Sequence, residues 1–192
     1  MSEKHVTQLF RLLNLVRAVS YREGDFVLAS GKRSSFYIDV KTTSLHPEGA
    51  SLVGKLAVAK LLEAGYEFGG VGGLTLGADP IATAVSLAAL EAGKFWPAFI
   101  VRKEPKEHGT GKYVEGADNL KKDLPLLVLE DVVTTGGSSL KAIERLRAEG
   151  YQPTVVLTIV DREEGGREAL TKAGVEFHAL LTLGQVISGR LA

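Results

Sequence analysis

Leu126-Leu127-Val128-Leu129-Glu130-Asp131-Val132-Val133-Thr134-Thr135-Gly136-Gly137-Ser138-Ser139-Leu140 is the stretch on which the reading of this chain turns. It opens as an apolar run too short for a buried helix and passes into a turn of hydroxyls and glycines. Beyond the turn, Leu140, Ile143 and Leu146 recur at helical spacing. The pattern predicts strand, loop, helix. Glu130 and Asp131 stand near the mouth of the strand, where two acids suit a polyol or a metal ion. The loop after them brings N–H groups and hydroxyls to a helix N-terminus, a place that favours an anion such as phosphate.

Working outward, the flanking sequence repeats the same alternation. Residues 4–20 place Val6, Leu9, Phe10, Leu13, Val16 and Val19 on one face of an amphipathic helix. A second helix spans 47–64, with Pro47 near its first turn. From Phe68 a short strand breaks into a glycine loop, and an apolar helix follows over 81–90. Residues 96–101 form the next strand, and 154–160 another after the helix at 137–149, which stops at Gly150. A helix at 166–173 and a last strand at 175–183 complete the series. Strands alternating with helices predict an α/β domain over 1–192, its central, mainly parallel sheet flanked by helices and its ligands at the strands' C-terminal ends. The loops that follow the strands should gather at one rim.

Two segments depart from the alternation. In 26–41 two β-rich runs flank a Ser-Gly turn, a hairpin by turn chemistry, with Ser30, Lys32, Arg33 and Ser34 as anion-binding groups at its tip. From Lys103 to about Asp118 apolar periodicity is lost, and a loop of that length in a compact domain is commonly a lid, a binding loop or disorder, of which the charge pattern favours a lid. Arg102, Lys103, Lys106 and His108 alternate there with acids, as if aimed at a polyanion. By contrast, the Gly49 to Leu56 stretch resembles a nucleotide phosphate loop only superficially. Leu56 stands where a hydroxyl should hold magnesium, and no strand precedes it.

Composition narrows the functional classes. Lys plus Arg and Asp plus Glu each number 23, so no global field draws nucleic acid or an anionic membrane. There are no cysteines, which excludes disulfides, thiolate metal sites and a cysteine nucleophile and points to the cytoplasm. The N-terminal stretch carries Glu3, Lys4, Arg11 and Arg17 and lacks the apolar core expected of a signal peptide or membrane span. His5, His46, His108 and His178 are scattered, so a zinc site built by the protein is not expected. A ligand matching the rim has a phosphate for residues 134–138, hydroxyls for Glu130 and Asp131, and a second anionic group for the cations at 102–108. A phosphorylated sugar carrying a pyrophosphate meets all three demands.

Residues 128–139 resemble the phosphoribosylpyrophosphate (PRPP)-binding motif of the type I phosphoribosyltransferases: apolar run, two acids, two apolar residues, then Thr-x-Gly-x-Ser. Within that family the other motifs are similar to the orotate phosphoribosyltransferases. They are Phe-x-Leu-x-Ser-Gly-x-x-Ser at 26–34, Gly-Gly-Leu-Thr-Leu-Gly-Ala-Asp-Pro at 72–80, Arg-Lys-x-x-Lys-x-His-Gly at 102–109, and Asp161-Arg162-x-Glu164. The resemblance implies a small hood made by residues 1–45 with the C-terminal segment, and a flexible catalytic loop at 103–118. It implies that Glu130 and Asp131 hold the ribose hydroxyls and that Thr134, Thr135, Gly136, Gly137 and Ser138 cradle the 5′-phosphate. Arg102, Lys103, Lys106 and His108 would meet the pyrophosphate, with Lys106, Arg102, His108 and Asp131 as the catalytic set. Thr134, Arg162, Phe36 and Tyr37 would contact orotate, and Mg2+ would arrive with PRPP and water rather than on protein ligands. A homodimer, with the loop reaching the neighbouring site, is also implied.

Two positions depart from the family pattern: Ala29 and Leu76 stand where cations are common, leaving Lys32, Arg33 or Lys41 to replace them. The implied reaction displaces pyrophosphate from the anomeric carbon by a ring nitrogen of orotate, through an oxocarbenium-like transition state. The competing readings are a phosphoribosyltransferase for another base, which needs no carboxylate-binding Arg162, and a non-catalytic PRPP-responsive regulator. Zero net charge disfavours a regulator that binds nucleic acid.

Overall fold

The computed structural model describes residues 2–27, 31, 33–105 and 112–191. Its centre is a six-stranded sheet in the order β5-β4-β3-β6-β7-β8, and a two-stranded hairpin, β1-β2, stands apart from it. The strands are β1 (Tyr21–Val27), β2 (Arg33–Ile38), β3 (Gly70–Leu74), β4 (Ala98–Val101), β5 (Val114–Glu115), β6 (Leu126–Val133), β7 (Pro153–Asp161) and β8 (Glu176–Thr182). The helices are α1 (Glu3–Val19), α2 (Lys41–Ser44), α3 (Pro47–Glu63), α4 (Ala78–Glu91), α5 (Gly137–Ala148), α6 (Gly166–Lys172) and α7 (Leu183–Ser188). Within the six-stranded sheet pairing is parallel along β4-β3-β6-β7-β8, and β5 runs antiparallel to β4.

β6 and β7 are buried over most of their length, which is why both read as nearly continuous apolar runs. From β3 the chain travels outward to β4 and β5, then crosses back to lay β6 on the other side of β3. That reversal opens a crevice at the C-terminal ends of β3 and β6, the usual ligand position in such sheets. The β3–β6 pairing stops at Gly72 and Val128, whereas β6 stays paired with β7 as far as Val133. Glu130 and Asp131 therefore lie beyond the point where β3 and β6 part.

The helices differ from the sequence reading in instructive ways. On α1 the buried residues are Leu12, Leu13 and Val16, while Val6 and Phe10 are 44% and 48% exposed. The apolar stripe is thus rotated toward Leu12 on a helix that packs on α3 and α7. The segment expected to be irregular over 103–118 contains β5 and a short 3-10 turn at Ala117–Asn119. α7 was not anticipated within the last segment. Thr182 caps it reciprocally with Gln185 and Gly189 ends it in a left-handed conformation, signals readable in retrospect. The Gly49 to Leu56 stretch lies inside α3, where its glycines serve packing: a Cβ at Gly54 would stand 2.4 Å from the Ala84 carbonyl oxygen on α4.

Candidate active site

A cavity of about 300 Å³ lies at the end of β6, lined by Glu130, residues 132–139 and Lys141. Gly136 takes a left-handed conformation, φ 83°, which turns the chain from strand to helix and which side-chain-bearing residues rarely adopt. The first-turn N–H groups of α5 have no helical partner, and they join the hydroxyls of Thr134, Thr135 and Ser138 at the cavity. This is a phosphate-sized cradle with the favourable end of a helix dipole behind it.

Beside the cradle, Glu130 is 6% exposed and accepts from the Ser139 hydroxyl at 3.4 Å. Burial, reinforced by the neighbouring Asp131 charge, pushes its carboxyl far above the ordinary range, to about 8. Asp131 is better provided. Its Oδ1 accepts from the Val132 N–H at 2.9 Å, and its Oδ2 lies 3.4 Å from the Lys41 ammonium. Lys41 also reaches Asp39 at 2.8 Å. Asp39 holds the Lys41 ammonium above its usual pKa; burial opposes this and Asp131 adds to it. The glycine loop after β3 closes against the same acid, since a Cβ at Gly77 would fall 2.7 Å from the Asp131 carboxyl group.

At the end of β7, the Arg162 N–H donates to Val133 O at 2.9 Å, tying the Asp-Arg loop to β6. One terminal nitrogen of Arg162 pairs with Glu164 at 2.8 Å, and its guanidinium lies 5.6 Å from the Phe36 ring centroid. Its Nε is buried without a hydrogen-bond partner. A buried guanidinium N–H lacking an acceptor is costly, and a ligand carboxylate beside it would remove that cost. Tyr37 sits on the alternate face of β2, where it packs on Phe26 and is 45% exposed. Only the first of the two hairpin aromatics thus meets Arg162.

The β4 loop enters with Arg102, whose guanidinium pairs with Glu115 at 3.0 Å, and with Lys103. Lys106 and His108 lie outside the described residues, as do Ser30 and Lys32. Of the cations that could replace those lost at Ala29 and Leu76, Arg33 pairs with Asp25 on its own hairpin, whereas Lys41 reaches Asp131. Ser34 is likewise engaged locally, its hydroxyl bonding Phe36 O at 2.7 Å. Sequence reading did not single out Lys141, Ser139 or the Gly77–Asp131 contact. The hydroxyl of Ser139 was in plain view, but its direction follows only from where α5 starts.

No family model matches the chain. A curated relative from Nostoc sp., an orotate phosphoribosyltransferase, is 47% identical over 173 residues, covering 90% of this chain and 82% of the relative. This chain belongs to the orotate phosphoribosyltransferase family. Two solved structures of the Mycobacterium tuberculosis H37Rv orotate phosphoribosyltransferase share its architecture. One, in complex with Fe(III) dicitrate, has a TM-score of 0.82 and 36% identity, covering 93% of this chain and 98% of that one. The other, in complex with 5-phospho-α-D-ribosyl 1-diphosphate, has a TM-score of 0.76 and 33% identity, covering 93% and 98%. Among orotate phosphoribosyltransferases, then, this chain has the parallel sheet, the reversal at β3 and β6, and the acid pair followed by a hydroxyl loop.

Proposed function

We propose that this orotate phosphoribosyltransferase family member transfers the phosphoribosyl group of PRPP to orotate, giving orotidine 5′-monophosphate and pyrophosphate in pyrimidine biosynthesis. The loop at 134–138 takes the 5′-phosphate, and Glu130 and Asp131 take the ribose hydroxyls. Arg102 and Lys103, with Lys106 and His108, meet the pyrophosphate. Negative charge grows on that leaving group as the glycosidic bond breaks, so cations placed there stabilise the transition state more than the bound substrate. Asp131, kept in place by Lys41 and the Val132 N–H, is set to orient the ribose while the anomeric carbon takes on positive character.

Magnesium fits this site as a companion of the pyrophosphate. It prefers to keep water and phosphate oxygens and takes only one or two carboxylates. Bound there, it would neutralise charge on the departing pyrophosphate.

The observation that carries the choice of acceptor is Arg162, with its buried, partnerless Nε beside Phe36. Orotate differs from uracil by a carboxylate, and a guanidinium is suited to bind that group. The test compares turnover of orotate, uracil and hypoxanthine by the native protein and by Arg162→Gln. Native preference for orotate, and a loss of orotate kcat/KM on the order of a hundredfold in the variant, are expected for a lost charge-assisted contact. Equal use of uracil would reject Arg162 as the acceptor's anchor.

We further propose a cytoplasmic homodimer in which residues 103–118 complete the neighbouring site. The absence of cysteines agrees with a reducing compartment. Among the described residues no helix is long and apolar enough to cross a membrane. Leu87, Leu90 and Phe95 are exposed apolar side chains near one another in the chain, as a contact surface between subunits requires.

A further inference from the structure

We propose that Arg145 is a positioning residue for the pyrophosphate contacts, fixing the backbone of Arg102 and Lys103 on α5, where the segment that completes the neighbouring site begins. This rests on the reading of 134–138 as the 5′-phosphate site and of Arg102 and Lys103 as pyrophosphate contacts. Arg145 lies on α5, the helix whose N-terminus forms the cradle. Its two terminal nitrogens donate to consecutive carbonyl oxygens, Arg102 O at 2.6 Å and Lys103 O at 2.7 Å. Its guanidinium covers the Tyr113 ring at 4.5 Å. The Arg102 N–H in turn donates to Tyr113 O at 2.9 Å, and the Tyr113 N–H donates to Glu149 Oε1 at 2.7 Å.

Glu149, the C-cap residue of α5, follows Arg145 by four residues, so the two lie one turn apart at the same end of the helix. One rigid helix therefore grips both the entry to the loop, at Arg102 and Lys103, and its exit, at Tyr113. Residues 103–118 are read as completing the neighbouring site, so the backbone from which they leave this subunit has to be held at a set place, and α5 holds it. A fork of two parallel donors is what a guanidinium supplies and an ammonium does not. Arg145 is half-buried on the outer turns of α5 and belongs to neither apolar cluster of the core, so its removal should leave the fold intact.

The experiment titrates ribose 5-phosphate and, separately, pyrophosphate with magnesium into the native protein, Arg145→Met, Arg145→Lys and Arg102→Ala by calorimetry. For Arg145→Met the affinity for ribose 5-phosphate should stay within about twofold, while pyrophosphate binding weakens roughly tenfold, two charge-assisted hydrogen bonds having been lost. Arg145→Lys should recover only part of that loss, since one ammonium cannot span both carbonyls. Equal weakening of both ligands would mark a merely structural role and overturn the proposal. Unchanged pyrophosphate binding in Arg145→Met, with weakened binding in Arg102→Ala, would overturn the proposal alone. Unchanged binding in Arg102→Ala would overturn the subsite assignment beneath it, and the proposal with it.

Discussion

Burial, and after it the adjacent Asp131, make the charged form of the Glu130 carboxyl costly and raise its pKa. Its carboxyl moves from an ordinary 4.5 to about 8 on folding, so within that window the folded chain binds a proton that the unfolded chain releases. Stability therefore falls as pH rises through the window. Glu130→Gln should remove that component. The thermal midpoint of the native protein should drop relative to the variant between pH 5 and 8.5, and parallel curves would contradict the assignment. Residue-level juxtapositions were legible where the neighbours are local in sequence. The acid pair, the hydroxyl loop and Asp161-Arg162 could be read because a strand, a turn and a helix follow one another directly. Lys41 reaching Asp131, 90 residues away, and Arg145 reaching Arg102, 43 residues away, could not, since such pairs form only once the sheet is assembled. Tyr37 shows the complementary limit. Adjacent aromatics on a strand point to opposite faces, and only the fold decides which face meets the site.

At the scale of elements, the long periodic and apolar segments were the most legible, and the shortest were lost. The two-residue β5 and the four-residue α2 are too short to express a period. α1 was found, but its buried face was misjudged at the N-terminal end, where Val6 and Phe10 are nearly half exposed. The α3–α4 contact supplies a further prediction. Alanine is a better helix former than glycine by about 1 kcal/mol. At Gly54, however, its Cβ would stand 2.4 Å from Ala84 O and 3.2 Å from the Ala88 Cβ. Overpacking of that kind costs about 1–3 kcal/mol. Gly54→Ala should accordingly lower the midpoint of urea unfolding, and a raised midpoint would show that the helices are not pressed together there.

For the molecule as a whole, strand order makes the site. The reversal at β3 parts β3 from β6 after Val128, and Glu130, Asp131 and the α5 cradle open into the gap. The Asp-Arg loop joins them through the Arg162 N–H to Val133 O bond. The β4 loop is held to the same rim by Arg145. Sequence reading could predict that these loops share a rim, because parallel strands put all such loops at one end. It could not predict how α5 ties the rim together. The central claim, that this assembly moves a phosphoribosyl group onto orotate, is tested most directly by following orotate absorbance after adding PRPP and magnesium, with pyrophosphate measured in parallel. One pyrophosphate released for each orotate consumed is predicted. No loss of orotate under saturating donor, or pyrophosphate release independent of orotate, would contradict it.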